Sequence, residues 1–420
     1  MMESASPQKI PKSWMKWRLK YAVSVGRAGG SLIKGTMSPV PEPGLFPGYS
    51  ASGQDVWVEE SHYRSTRGIV VSAVGARCGK CFRADGDWSA IANTMVLLPR
   101  RGFCRDYLWY LFNDEIFWEK GGTAQPYVRF DASLDREWYF PPLDEQILIS
   151  KFLDSATAGT NALIAKYERL IELLEEKRAA LITLVVTKGL DPNVPMRDSG
   201  ELFFGDIPAH WQVLPLRRLM TRFVDYRGST PVKTESGVTL VTAANVKRGL
   251  IDYDCSQEFM AEEDYESWMV RGFPEVGDVL LTMEAPLGQV AQVDKQRIGL
   301  AQRVMLMKVD GERVRPDYLM WAILSSAGQA ELLSRATGST ALGIKASKLR
   351  ELPFAVPPID EQRQIADTLF AESKKIDELQ SVLRKALVLV REHALAIVAS
   401  AVTGQIDVRK YQPSYQEIGA

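Results

Sequence analysis

The sequence predicts an α+β protein written twice. Two similar globular domains are joined by two long helices packed as an antiparallel coiled coil, a pseudo-twofold internal repeat within one chain. Three observations predict it: sequence blocks recur in the same order in both halves, a leucine-rich heptad segment closes each half, and the spacing between matched blocks changes only inside the globular parts. At 420 residues the chain also exceeds one ordinary core, as two or three domains require.

The repeat is read from its anchors. Pro141-Pro-Leu-Asp-Glu-Gln146 returns as Pro357-Pro-Ile-Asp-Glu-Gln362, 216 positions later, and this register holds without a gap to Asp191 and Asp407. Each half opens alike: Ile10-Pro11-x-x-Trp14 before Leu19-Lys20, and Ile207-Pro208-x-x-Trp211 before Leu216-Arg217, an offset of 197. Gly68 and Gly79 match Gly277 and Gly288, and Arg105-Asp-Tyr-Leu108 matches Pro316-Asp-Tyr-Leu319. The drift from 197 to 216 puts 19 extra residues in the second globular part and none in the trailing segment. Loops with separate tasks tolerate such changes; segments that pack on each other do not.

The trailing segments read as helices. Leu163, Tyr167, Leu170, Leu174, Lys177, Leu181 and Leu184 alternate by four and three residues, as do Leu379, Leu383, Ala386, Val390, His393, Ile397 and Ser400. Asp144-Glu145 and Asp360-Glu361 place negative charge at the helix starts, where the dipole favours it, and Gly189 and Gly404 punctuate the ends. A 45-residue helix measures about 65–70 Å. Such an apolar stripe must be buried, either on its own domain or against the other copy. Because each helix leads away from its own domain, antiparallel pairing is the expectation, with Lys177 and His393 tuning register.

The boundaries that follow are residues 1–143 and 206–357 for the globular domains, 144–205 for the central helix and linker, 358–410 for the second helix, and 411–420 for a tail. Both globular parts mix β-rich runs with amphipathic stretches at residues 105–118 and 316–335. The runs are Ile69-Val-Val-Ser72, Met95-Val-Leu-Leu98, Val279-Leu-Leu-Thr282 and Val304-Met-Leu-Met307.

Composition is that of a globular protein, 46% hydrophobic and 25% charged, with four cysteines, which suits a reducing cytoplasm. Residues 1–10 lack the apolar core of a signal peptide, and no apolar run reaches the roughly 18 residues of a membrane span. The formal net charge of −1 excludes a whole-chain argument for nucleic-acid binding, but charge is clustered. Residues 61–105 hold eight basic and two acidic side chains, residues 207–250 seven and two, and residues 251–284 are strongly acidic. Basic patches on a neutral chain fit phosphate on one face and protein on another.

Catalytic equipment is missing from the sequence. Gly75-Ala-Arg-Cys-Gly79-Lys80-Cys81 is one residue short of a phosphate-binding loop and lacks its hydroxyl. Neither Pro-Pro pair belongs to the tetrad of an aminomethyltransferase, and the three histidines stand in unrelated contexts. Cys78-Gly-Lys-Cys81 has the spacing of a redox pair or half a zinc site, yet it aligns with Leu287 and Val290, so small apolar core residues are expected there. Trp14 and Trp211 read as core anchors. Gly122-Thr-Ala-Gln125 and Gly338-Ser-Thr-Ala341, upstream of Arg129 and Lys345, fit either phosphate-contacting loops or ordinary turns.

Two variable α+β domains, each opening Ile-Pro-x-x-Trp and closing Pro-Pro-Leu/Ile-Asp-Glu-Gln before a long helix ending Val-Thr-x-x-x-Asp, closely resemble the type I restriction–modification specificity subunits. The resemblance spans residue 10 to about residue 409 and rests on the ordered duplication. It implies two target-recognition domains, each reading half of an interrupted site in double-stranded DNA through major-groove base edges, with the helical pair setting the gap. It also implies a cytoplasmic, non-catalytic subunit that binds no cofactor of its own. Two adenine methyltransferase subunits would use S-adenosylmethionine, and restriction/translocase subunits would use ATP and Mg. The family's recognition loops carry no fixed signature. Local charge and glycine context instead nominate Arg77, Lys80, Arg83, Arg100 and Arg101 in the first domain, and Arg227, Lys247, Arg248, Arg303 and Lys345 in the second. The rival readings are a coiled-coil scaffold that never touches nucleic acid and an enzyme built on Cys78 and Cys81.

Overall fold

The computed structural model describes residues 10–26, 28, 37–113, 117–228, 230–338 and 342–410. It divides into two compact units, Met1–Tyr167 with Lys385–Ala420, and Glu168–Arg384. The units share one topology.

In the first unit a four-stranded antiparallel sheet runs in the order Val23–Gly26, Thr94–Pro99, Gly68–Ser72, Cys81–Ala84. The second unit repeats it as Met220–Asp225, Val304–Val309, Val279–Thr282, Val290–Gln292. Each unit adds a three-stranded sheet with one antiparallel and one parallel neighbour, centred on Phe46–Ser50 in the first and Val238–Val241 in the second. Each also pairs its opening strand with the strand before its long helix: Met15–Arg18 with Glu137–Phe140, and Gln212–Pro215 with Pro353–Val356. The central strands Gly68–Ser72 and Val279–Thr282 are buried throughout, as strands covered on both faces must be.

The amphipathic stretches are shorter than their sequence pattern predicts. The first is a helix over Arg105–Phe112; the second breaks into Pro316–Leu324 and Ser326–Ser334. Ser325 stands in extended backbone at the break and accepts from Gly328 N at 3.0 Å, an N-cap that starts the next helix.

The motif Pro-Pro-x-Asp-Glu-Gln acts as a clasp. Gln146 is buried; its Oε1 accepts from Cys104 N at 2.8 Å and its Nε2 donates to Pro141 O at 2.9 Å. Gln362 repeats this with Arg315 N at 2.7 Å, Pro357 O at 2.8 Å and Arg313 O at 3.0 Å. Cys104 and Arg315 precede the helices at Arg105 and Pro316, so each glutamine ties the start of a long helix to the start of a domain helix. The preceding glutamate takes the indole of the opening motif: Trp14 Nε1 donates to Glu145 Oε1 and Trp211 Nε1 to Glu361 Oε1.

The long helices are Leu143–Lys188 and Ile359–Val402. Within the second unit they run antiparallel: Gln380 Nε2 donates to Ile171 O and Glu175 Oε1, while Arg178, seven residues further on, reaches back to Ser373 O and Asp377. The heptad seam differs from its sequence reading in one of its two rows. Tyr167, Leu174 and Leu181 are partly buried, but Leu163, Leu170, Lys177 and Leu184 are exposed, and Ile164, Ile171, Arg178 and Val185 take their place. On the second helix Leu383, Val390 and Ile397 hold. Leu379 and Lys177's counterpart His393 are exposed, Ala386 is partly buried, and the inner row is Gln380, Leu387, Ala394 and Ala401. The contrast is plain at one step, where Leu379 is 54% exposed and Gln380 3%. Two stripes one residue apart differ by about 100° around the helix. Polar Arg178 and Gln380 hid the true one. Ser400, read as a seam position, is partly buried beside fully buried Ala401.

Each unit's core includes the end of the helix that starts in the other. Ile182, Val185 and Val186 pack with Trp211, Leu216 and Phe354; Ala401 and Val402 pack with Trp14, Leu19 and Phe140. Cys78 and Cys81 are buried in the first core as free thiols, with Cys81 Sγ donating to Phe112 O at 3.2 Å and burial pushing that thiol up. No group of three or more His, Cys, Asp or Glu suited to a metal occurs among the described residues.

Candidate nucleic-acid interface

One corner of the four-stranded sheet carries the same backbone hydrogen bonds in both units, although its closing turn is one residue longer in the first. In the first, the turn between Ser72 and Lys80 is closed by Gly79 N→Ser72 O at 2.8 Å and Ser72 N→Lys80 O at 2.9 Å. Ala73, just past the strand, then donates to Asn93 O and accepts from Val128 N, both at 2.9 Å. In the second, the same frame reads Gly288 N→Thr282 O at 2.9 Å and Thr282 N→Gln289 O at 2.8 Å. Met283 donates to Arg303 O at 2.9 Å and accepts from Ile344 N at 3.0 Å. Each corner ends in a short helix whose first carbonyl belongs to Arg129 or Lys345: Ser133 N→Arg129 O and Leu349 N→Lys345 O, both 3.0 Å. The side chains at equivalent places are therefore Asn93 and Arg303, and Arg129 and Lys345.

This corner gathers half of the nominated residues. In the first unit it holds Arg77, exposed in the turn with Nη1 3.5 Å from Ser52 O, and Lys80, whose backbone N donates to Arg77 O. Among the described residues no ion pair engages Arg77, Lys80 or Arg129. In the second unit it holds Arg227, Arg303 and Lys345. Arg227 follows the strand that ends at Asp225 and grips that carboxylate through Nε and Nη2, at 3.0 and 2.6 Å to Oδ2, while Nη1 lies 3.4 Å from Ile344 O. Hydrogen bonding to Asp225 raises the Arg227 pKa further. Burial pushes the Asp225 carboxyl up, and Arg227 more than reverses this, leaving it below the usual range. Arg303 Nε lies 3.1 Å from Glu284 Oε1, and Lys345 is exposed at the N-cap of its helix.

Lys247 and Arg248 lie beside this corner. Arg248 N is 3.4 Å from Gln289 Oε1 and Gly249 N donates to Val290 O at 2.7 Å. Gly249 has φ +95°, and a Cβ there would stand 3.1 Å from Met320 Sδ, so the hairpin requires glycine. The Arg248 guanidinium is held by Glu175 of the long helix at 2.7 Å, and Lys247 Nζ is held by Asp252 and Cys255.

The remaining three candidates lie elsewhere. Ser72 pairs with Thr94 at the corner end of the ladder and Ile69 with Leu97, so Arg100 and Arg101, beyond Pro99, leave at the opposite end. Arg100 Nε donates to Val23 O at 3.0 Å. Arg83 is a structural cation: it lies 4.1 Å over the Trp109 ring and donates to Asp154 of the long helix at 2.8 Å. Local charge counting could not see that partner, 71 residues away.

Two corner residues were not among those nominated. Arg129 had been noted only as the basic residue after Gly122–Gln125, matched to Lys345 at 216 residues. Asn93 carried no charge to draw notice; it is exposed, sits at φ +66°, and directly precedes the strand Thr94–Pro99. Residues 339–341, within one of the Gly-Ser/Thr segments, lie outside the described residues; Gly122 of the other lies in a tight turn, with Gln125 O 2.5 Å from where its Cβ would be.

Comparison with known proteins bears on residues 272–386, which match the type I restriction modification DNA specificity domain. The chain is 25% identical over 351 residues to the type I restriction enzyme MjaVIII specificity subunit of Methanocaldococcus jannaschii, covering 80% of this chain and 78% of that one. It is 23% identical to the EcoBI specificity subunit of Escherichia coli, over 63% of this chain and 57% of that one. A solved structure described as explaining complex assembly and conformational transition of the type I R-M system superposes with a TM-score of 0.61 at 15% identity, covering 95% of this chain and all of the other. That likeness establishes the shared fold.

Proposed function

We infer that this chain, a member of the type I restriction–modification specificity subunits, binds a bipartite, interrupted DNA target and docks the subunits that modify and cut it. The observation that carries the reading is the sheet corner built twice on one backbone frame, with basic side chains on both copies and a long helix closing each unit. Two readers of common design but different side chains suit two half-sites of different sequence.

Residues 1–143 and 206–357 serve as the target-recognition domains, and the paired helices set the gap between half-sites, as dimer spacing does elsewhere. Arg77, Lys80, Arg129 and Lys345 meet phosphate, each neutralised charge releasing a counterion. The chain is non-catalytic by itself. Chemistry belongs to adenine methyltransferase subunits using S-adenosylmethionine and to ATP- and Mg-dependent restriction/translocase subunits. Exposed leucines and valines along the outer helix faces, among them Leu170, Leu379, Val382 and Leu389, support docking of protein partners there. No described helix is long and apolar enough to cross a membrane.

The test is genome-wide mapping of N6-methyladenine in cells with and without this gene, its methyltransferase present in both. A two-part motif with a fixed gap, seen only with the gene, supports the reading. An unchanged methylome overturns it in favour of a scaffold that does not touch DNA.

A further inference from the structure

We propose that Asn93 and Arg303 are equivalent base-reading residues, and that the two half-sites consequently differ at that step, with an adenine for the first domain and a guanine for the second. The proposal deepens the function inferred above and rests on it. Its basis is the corner frame: the carbonyls of Asn93 and Arg303 accept the same backbone hydrogen bond, from Ala73 and Met283, at 2.9 Å each. Their side chains therefore leave one common backbone position, and both residues are exposed.

The chemistry differs by kind. A carboxamide offers one donor and one acceptor and matches N6 and N7 of adenine; a guanidinium offers two donors and matches O6 and N7 of guanine. Asn93 makes no side-chain hydrogen bond to the described residues, so its amide has donor and acceptor to offer. Arg303 Nε lies 3.1 Å from Glu284 Oε1, which leaves the terminal nitrogens for recognition. Around each reader stand cations suited to phosphate, Arg77, Lys80 and Arg129 in one unit and Lys345 in the other. Phosphate contacts flanking a neutral or bidentate reader is the usual division of labour on DNA.

Asn93 at φ +66° also has a purely conformational reading, since asparagine tolerates left-handed backbone. The variant Asn93→Gly separates the two. Glycine keeps that backbone and removes the amide. The experiment maps N6-methyladenine in cells carrying the full chain, as wild type, Asn93→Gly or Arg303→Lys, with the methyltransferase subunit, and measures DNA affinity of each purified complex against salt.

Asn93→Gly should relax one A·T position of one half-site, and Arg303→Lys one G·C position of the other, with discrimination falling roughly ten- to hundredfold at that position alone. Affinity for unrelated DNA and its salt slope should be unchanged. Arg129→Ala and Lys345→Ala should instead weaken binding to every sequence and reduce the salt slope by about one. A wild-type bipartite motif that stays equally strict in both variants overturns this proposal alone, as does relaxation at a base pair of the other kind. A wild-type complex with no bipartite motif overturns the function on which it rests, and the proposal with it.

Discussion

Trp211 Nε1 donates to Glu361 Oε1 at 3.1 Å, joining the opening motif of the second domain to the first turn of its long helix, 150 residues later. The other carboxylate oxygen meets His210 Nε2 at 2.8 Å, and Gly189 closes over the indole, its Cβ position 3.3 Å from Trp211 Cζ2. Trp14, Glu145 and Gly404 repeat the arrangement in the first unit.

Glu361→Leu removes the acceptor from a nearly buried indole and should cost about 1–3 kcal/mol. Trp211→Ala, which also opens a cavity, should cost about 3–5 kcal/mol. Chemical denaturation followed by hydrogen exchange, which resolves the two units, checks both. Equal protection of the second unit in Glu361→Leu and wild type would remove the indole–carboxylate contact from the account.

Gln146→Leu and Gln362→Leu each orphan a helix-start N–H and at least one carbonyl in the core. Either should lower the melting temperature of its own unit more than Asp144→Ala or Asp360→Ala, exposed neighbours in the same motif. Calorimetry decides it.

One helical turn inserted within residues 166–176, matched by one turn opposite in the second helix, lengthens the pair by about 6 Å. The gap should grow by roughly two base pairs at 3.4 Å per step, with both half-sites unchanged. Methylome mapping reads the outcome, and an altered half-site would contradict the spacer assignment.

Exchange of residues 206–357 for the corresponding domain of a type I specificity subunit should, on the function proposed above, replace one half-site and preserve the other. Loss of both in the mapped motif would show that the domains do not read independently.

Glu175 links Arg248 and Gln380 at 2.7 and 3.0 Å. Burial pushes its carboxyl up, but those partners more than reverse this, holding it below its ordinary 4.5. A depressed carboxyl contributes stability present above its unfolded pKa and lost as pH falls through the folded one. The second unit should therefore loosen as pH drops below about 4.5, and Glu175→Gln should flatten that part of the acid limb in a pH-dependent melt.

Repeat order, strand positions and the two long helices were legible because Pro-Pro-x-Asp-Glu-Gln, Ile-Pro-x-x-Trp and buried β-branched runs answer to local rules. The seam row at Leu163, Leu170, Lys177 and Leu184 was not, because leucine outranks arginine and glutamine in any apolar count while Arg178 and Gln380 hydrogen-bond across the helix pair. Five of the ten residues nominated from charge lie at the sheet corner. Arg83 shows the limit, since a guanidinium bound by a distant carboxylate reads the same in one dimension as one facing solvent. Asn93 shows the converse, because it occupies the place of Arg303, a relation that exists only once strands are paired.

The first core closes around Ala401 and Val402, and Tyr107 donates its hydroxyl to Val402 O at 3.1 Å. On the ribosome, residues 10–153 of that core emerge long before this last piece. At 5–20 residues per second the wait is on the order of tens of seconds. During that interval Trp14, Tyr107 and Leu108 lack part of their cover, so the nascent N-terminal domain is a natural client for chaperones. A stop codon shortly before residue 401 would harm the domain made first more than the domain made last.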